Sequence, residues 1–174
     1  MVQFITQLLT FKSMQHYVGT HDWVWPVCEM THYVGMSIIV GFIGLTDLRI
    51  LGLCKRLPIG ALKPYVPVVL VVFLLANVFT GLVFVTGNAV GGAATYTENL
   101  SFQLKMAMLV IIFINLMVFR FTGLEDRVYA TPANGDAPGA AKVIALVSIV
   151  SWLLVIFFGR MLMYNDTLLL FLGM

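Results

Sequence analysis

The chain has 174 residues, of which 60% are hydrophobic and 10% charged, with a formal net charge of +2 at pH 7 and a mean hydropathy of +0.98. An apolar share this large excludes an ordinary soluble domain. The small, scattered positive charge argues against a nucleic-acid partner, and without C-x-x-C or C-x-x-C-H there is no thiolate zinc, iron–sulfur or covalent c-type haem motif.

The first predicted element is short. In "MVQFITQLLTFK" the apolar residues Val2, Phe4, Ile5, Leu8, Leu9 and Phe11 fall mostly three and four apart, which predicts an amphipathic helix lying in the membrane interface. The segment has neither a basic leading region nor a small-residue cleavage site, so no signal peptide is expected. Four stretches then reach the roughly 20 mainly apolar residues that a bilayer-spanning helix needs: about 23–45, 62–86, 101–119 and 140–164. Turn residues separate them: Pro58 and Gly60, then Gly91 and Gly92, then Pro132 and Pro138. The expected fold is all-α, a single-domain integral membrane four-helix bundle over 1–174. Cys28 and Cys54 lie near opposite ends of the first span, roughly 39 Å apart along a helix, too far for a disulfide.

Basic residues set the expected orientation. Arg49, Lys55, Arg56 and Lys63 belong to the first loop, and Arg120, Arg127 and Lys142 surround the third, whereas "GNAVGGAATYTENL" between the second and third spans has no Lys or Arg. Loops one and three are therefore expected in the cytoplasm and both termini outside, in a bacterial inner membrane. The third loop, with "TPANGDAPGA", has the composition of a turn-rich, mobile segment.

Ionisable groups inside the spans are functional candidates by default. Glu29 and His32 are one turn apart on one helix face, with Gly35 a further turn on. Lys105 enters from the outer end of the third span and Arg160 from the outer end of the fourth, so this topology gathers Glu29, His32, Lys105 and Arg160 in the outer half of the bundle. Snorkelling explains Lys105 and Arg160 equally well. An interhelical hydrogen bond is the ordinary alternative for His32.

A histidine in such a bundle suits a haem ligand, a quinone partner or a proton relay. Haem b fits the expected arrangement best, with His32 on the iron, Lys105 and Arg160 on the propionates or on a quinone headgroup, and Gly35 leaving room for the ring edge. The second axial ligand is open: His16 or His21 from a folded-back N-terminal segment, or Met106, Met108 or Met161. Copper is a weaker fit, because Met106 with Met108 and Met161 with Met163 are two apart and face different sides of a helix.

The segments "WPVCEMTHYVGMSIIVGFIGLTDLRILGL", "ENLSFQLKMAMLVIIFINLMVF" and "VSIVSWLLVIFFGRMLMY" carry H-x-x-G with D-L-R-x-L-G, F-x-x-K-M, and S-x-x-x-W with G-R. Over three of its four spans the chain thereby resembles a bacterial family of four-span membrane proteins with no assigned activity. That family is distantly similar to the membrane domains of copper-resistance D proteins and of the haem-b-binding protoporphyrinogen oxidase. The resemblance implies a four-span fold, His32 as a haem ligand and Lys105 with Arg160 as anion partners. It also marks a departure, since a histidine common near the end of the family's third span is replaced here by Arg120.

Two functions follow as expectations. The first is electron transfer through haem b between a periplasmic donor and quinone or a partner subunit. The second is a cofactor-free accessory subunit of a larger membrane complex, or a self-associating structural protein, in which the same polar residues fix helix packing. Ion or metal transport would require an oligomer to build a pore. A porphyrinogen-oxidising enzyme rests on the distant similarity alone.

Overall fold

A computed structural model describes residues 2–171 and 173. Nine α-helices make up the described chain: α1 (Val2–Leu9), α2 (Lys12–Thr20), α3 (Val24–Leu51), α4 (Tyr65–Gly87), α5 (Ala94–Thr97), α6 (Leu100–Phe121), α7 (Leu124–Tyr129), α8 (Gly139–Met161) and α9 (Asn165–Phe171). Single 3₁₀ turns at Ile59–Leu62 and Leu162–Tyr164 complete the secondary structure, and no strand occurs among the described residues.

Four helices, α3, α4, α6 and the α8–α9 stretch, are long and apolar enough to cross a membrane. The sequence of α4, "YVPVVLVVFLLANVFTGLVFVTG", is dense in β-branched valine, which in water favours strands. In hydrocarbon a lone segment must satisfy every backbone N–H and C=O within itself, and only a helix does so. Pro26 and Pro67 sit in the first turns of α3 and α4, where no intrahelical N–H bond is lost. Asn99 caps α6 by accepting from the Phe102 N–H at 3.2 Å.

The first span departs from its expected end. Rather than stopping near residue 45, α3 continues through Asp47 and Arg49 to Leu51 and terminates at Gly52, whose φ of +96° supplies the left-handed cap. Arg49, expected in a solvated loop, is therefore inside the last helical turn and only 1% exposed. The other three long helices fall within a few residues of their expected bounds.

α3 packs between α4 and α8, and α8 packs between α3 and α6. The spans thus follow the order α4, α3, α8, α6. Ile39, Val69, Trp152 and Val155 form the central core, with Met108 and Leu109 of α6 packed against it. Val18, Val24, Cys28 and Val83 close the end that carries α2. Ile50, Ile59, Val128 and three alanines close the opposite end. Large apolar side chains also point outward, among them Val71, Leu75, Phe79, Phe113, Leu153 and Phe157. An apolar surface running along every span would collapse or aggregate in water and is matched by lipid.

Two features fix how closely the helices approach. A Cβ at Gly35 would fall on the side-chain amide nitrogen of Asn77, which donates to the Phe73 carbonyl at 2.8 Å. The notch at Gly35 is therefore filled by Asn77 of α4, whose amide bonds within its own helix, and the small residue lets the two spans approach closely. Gly35→Ala should cost about 1–3 kcal/mol through overpacking, measured by denaturant titration in detergent. The Gly35→Ala/Asn77→Ala double variant should recover part of that cost, and simple additivity of the two changes would refute the contact.

At the other end, Tyr129 packs on the core cluster with the Lys63 ammonium 5.4 Å from its ring centroid. Burial first, then the Glu125 and Asp47 carboxylates, push its phenol up to about 12 against a smaller opposing effect of Arg120. Because the folded chain holds this proton more tightly, the resulting stability is fully present below the unfolded phenol pKa of about 10 and is lost as pH rises through about 12. An alkaline phenolate titration should show a late component that Tyr129→Phe removes.

Candidate functional site

His32 lies in the third turn of α3 and faces α4. Its Nδ1 is 2.8 Å from Thr80 Oγ1, and the Asn77 backbone carbonyl also engages the ring. The Thr80 hydroxyl hydrogen is drawn to the Ala76 carbonyl at 2.8 Å or the Asn77 carbonyl at 3.2 Å. With acceptors on that side, the imidazole carries its hydrogen on Nδ1 and donates it to Thr80. The Nε2 lone pair is then left without a protein partner. A hydrogen bond at one ring nitrogen that sets the tautomer and aims the other is how ligating histidines are prepared. Phe84 fixes the ring from the side, edge-on at 5.4 Å.

Lys105 is the second member of the site. Its stem lies along the α8 backbone at Gly159, where an added Cβ would meet the Nζ at 3.6 Å, and its charge is within electrostatic reach of His32. It is half-buried, and among the described residues no carboxylate pairs with it: the ion pairs are Lys55–Asp136, Lys63–Asp126, Arg120–Glu125 and Lys142–Asp136. An ammonium in such a position favours an anion brought from outside the chain.

The remaining expected members are arranged differently. Glu29 makes no ion pair with Lys105. It lies close enough to Tyr96 that its carboxylate, after burial, helps raise the Tyr96 phenol. Tyr96 in turn packs edge-on against Phe102 at 5.8 Å. Arg160 is exposed and stands over the Tyr164 ring, 5.5 Å from its centroid. Lys105 is thus within electrostatic reach of His32, Glu29 lies instead near Tyr96, and Arg160 turns to the surface.

His16 and His21 are exposed on and beside α2. The His21 ring stacks on Tyr17 at 4.3 Å and its Nδ1 meets the Tyr17 carbonyl at 2.9 Å, so it is engaged locally. Met108 is in the central core, Met106 is 45% exposed, and Met161 is half-buried where its carbonyl accepts from Ser101 Oγ at 3.3 Å. No group of three or more His, Cys, Asp or Glu that would hold a metal ion occurs among the described residues.

Sequence reasoning passed over Thr80, Asn77, Tyr96 and the buried pair Asp47 and Arg49. Asn77 and Thr80 are three apart in an otherwise apolar span, and that spacing on one face was the available signal. Asp47 is 6% exposed with one carboxylate oxygen unpartnered, while Ser148 of α8 hydrogen-bonds the side chain.

Comparison of the chain with protein-family models, curated proteins and solved structures gives no match. The class defined by the coordinates is a helical bundle with four helices of membrane-spanning length. Toward a haem the described residues offer one imidazole, His32, and one ammonium without a carboxylate partner, Lys105. Among the described residues no second ligand stands beside His32, and Asn77 fills the notch at Gly35 that was expected to receive the ring edge.

Proposed function

We propose that this chain is a haem b-binding integral membrane protein that takes part in electron transfer between a donor on the outer face of a bacterial inner membrane and quinone or a partner subunit. The observation that carries the reading is the His32 imidazole, anchored through Nδ1 to Thr80, with an unpaired Lys105 within electrostatic reach. In this reading His32 Nε2 holds the iron, Lys105 balances one propionate or a quinone headgroup, and Glu29 with Tyr96 exchanges protons at the outer end. Bound haem b supplies a reversible one-electron couple. The Thr80 hydroxyl orients the imidazole, and the surrounding apolar side chains exclude water. The charge distribution between the loops supports an orientation with loops one and three in the cytoplasm and both termini outside.

Oxidised-minus-reduced visible spectra of the detergent-purified protein, with a pyridine haemochrome count, test the reading. About one b-type haem per chain is expected. His32→Ala should lose the Soret band while retaining helical circular dichroism, and Thr80→Val should shift the band. A colourless protein from haem-replete cells, or full retention of the band in His32→Ala, would overturn it.

The filled notch at Gly35 favours a second reading, a cofactor-free accessory subunit whose polar residues serve packing. Its mark would be a colourless chain that co-purifies in fixed stoichiometry with a larger membrane protein.

A further inference from the structure

The opposite end of the bundle holds a pocket unrelated to His32. It has a volume of about 780 Å³ and lies between the end of α3 and the segment that follows it, lined among others by Leu45, Leu53, Lys55, Arg56, Leu57 and Asn134. It is an open groove at the surface rather than an enclosed cavity.

Its two walls differ in chemistry. One is cationic. Lys55 reaches Asp136 at 2.8 Å, but Lys142 approaches the same carboxylate oxygen at 3.6 Å, so a single anion is shared by two ammonium groups. Arg56 has no acidic partner among the described residues, and no Asp or Glu lines the groove. The other wall is apolar: Leu53 is 73% exposed and Leu45 39% exposed at the end of a membrane-spanning helix.

The rim is held from behind. Arg49 Nε donates to the Leu57 carbonyl at 2.7 Å, and the Asn134 N–H donates to the Lys55 carbonyl at 2.8 Å. Asn134 adopts a left-handed backbone with φ of +65°, which asparagine tolerates better than most residues. The cationic and apolar walls therefore keep a fixed relation before any ligand arrives.

We propose that this groove binds the headgroup of an anionic phospholipid, with the phosphate against Arg56 and Lys55 and the start of an acyl chain against Leu53 and Leu45. An uncompensated arginine favours a headgroup of net negative charge over a zwitterionic one, whose cation offsets its phosphate. The apolar wall selects a lipid over free phosphate. The site is independent of haem binding at the other end of the bundle.

The test uses the full chain in detergent, titrated with dioleoyl phosphatidylglycerol, dioleoyl phosphatidylcholine or inorganic phosphate and read by native mass spectrometry as lipid retained per chain. Phosphatidylglycerol should be retained over phosphatidylcholine by about fivefold for each cation engaged. Arg56→Gln, at an exposed position without a partner, should bring retention down toward the phosphatidylcholine level with the thermal transition unchanged. Leu53→Asn should weaken phosphatidylglycerol without restoring phosphatidylcholine. Lys63→Gln, a cation that does not line the groove, should have no effect. Equal retention of the two lipids, undiminished phosphatidylglycerol in Arg56→Gln, or displacement of phosphatidylglycerol by millimolar inorganic phosphate would each overturn the assignment.

Discussion

Arg49→Met is expected to destabilise the folded bundle by about 3–5 kcal/mol, because three backbone carbonyls lose a charged donor at once. The guanidinium is 1% exposed and donates to three backbone carbonyls: Leu57 at 2.7 Å through Nε, Gly135 at 3.2 Å and Pro132 at 3.1 Å through the terminal nitrogens. Hydrogen bonds to a charged group each contribute about 1.5–3 kcal/mol, and the position in the last turn of α3 adds a favourable interaction with the carbonyl end of the helix dipole. Arg49→Lys should rescue little, because one ammonium cannot span carbonyls that a planar fork reaches on two sides. Unfolding by denaturant in detergent gives the energy. Limited proteolysis should show new cleavage between residues 130 and 138, and an unchanged digestion pattern would show that Arg49 does not hold that segment.

Lys105→Met is expected to act in the opposite direction on stability. A cation costs about 2.5–3.5 kcal/mol at the bilayer centre on insertion scales, and less toward the ends of a span. Lys105 begins the second turn of α6 and its stem reaches Gly159, so removing an ammonium that no carboxylate offsets should stabilise the chain by about 1–3 kcal/mol. Methionine keeps the length and flexibility of the stem. On the proposed haem-binding reading, haem retention should fall in the same variant, since the cation for an anionic ligand group is gone. A stabilised chain with weakened ligand retention would mark Lys105 as kept for binding. A destabilised chain would make it a packing residue and remove it from the site.

The four spans were legible because their cause is local: a run of apolar residues of sufficient length forces a helix wherever lipid surrounds it. The end of α3 was not, because counting Lys and Arg to orient a chain treats each charge as solvated. Arg49 is instead desolvated by partners 83 and 86 residues away, which no window along the sequence contains. The same separation explains the third loop, whose turn-rich composition suggests mobility while Arg49 and Lys55 tie Pro132, Asn134 and Gly135 in place. At the candidate site, depth along the helices led to the expectation that polar groups gather in the outer half, and Lys105 lies within electrostatic reach of His32. The separation of Arg160 was not legible, since depth says nothing about direction around a helix axis. Thr80 and Asn77 were invisible as site residues because a threonine or asparagine in a span is ordinarily satisfied by its own helix, as both partly are here.

The order α4, α3, α8, α6 has a consequence for biogenesis. α3 and α4 are consecutive and adjacent, so each finds its partner as soon as both have left the ribosome. α6 makes most of its contacts with α8, which is complete only at Met161. At about 5–20 residues per second, a third helix carrying an unpaired lysine waits several seconds at the insertion machinery for the surface that receives it. The last span is thus the element that assembles the second half of the protein.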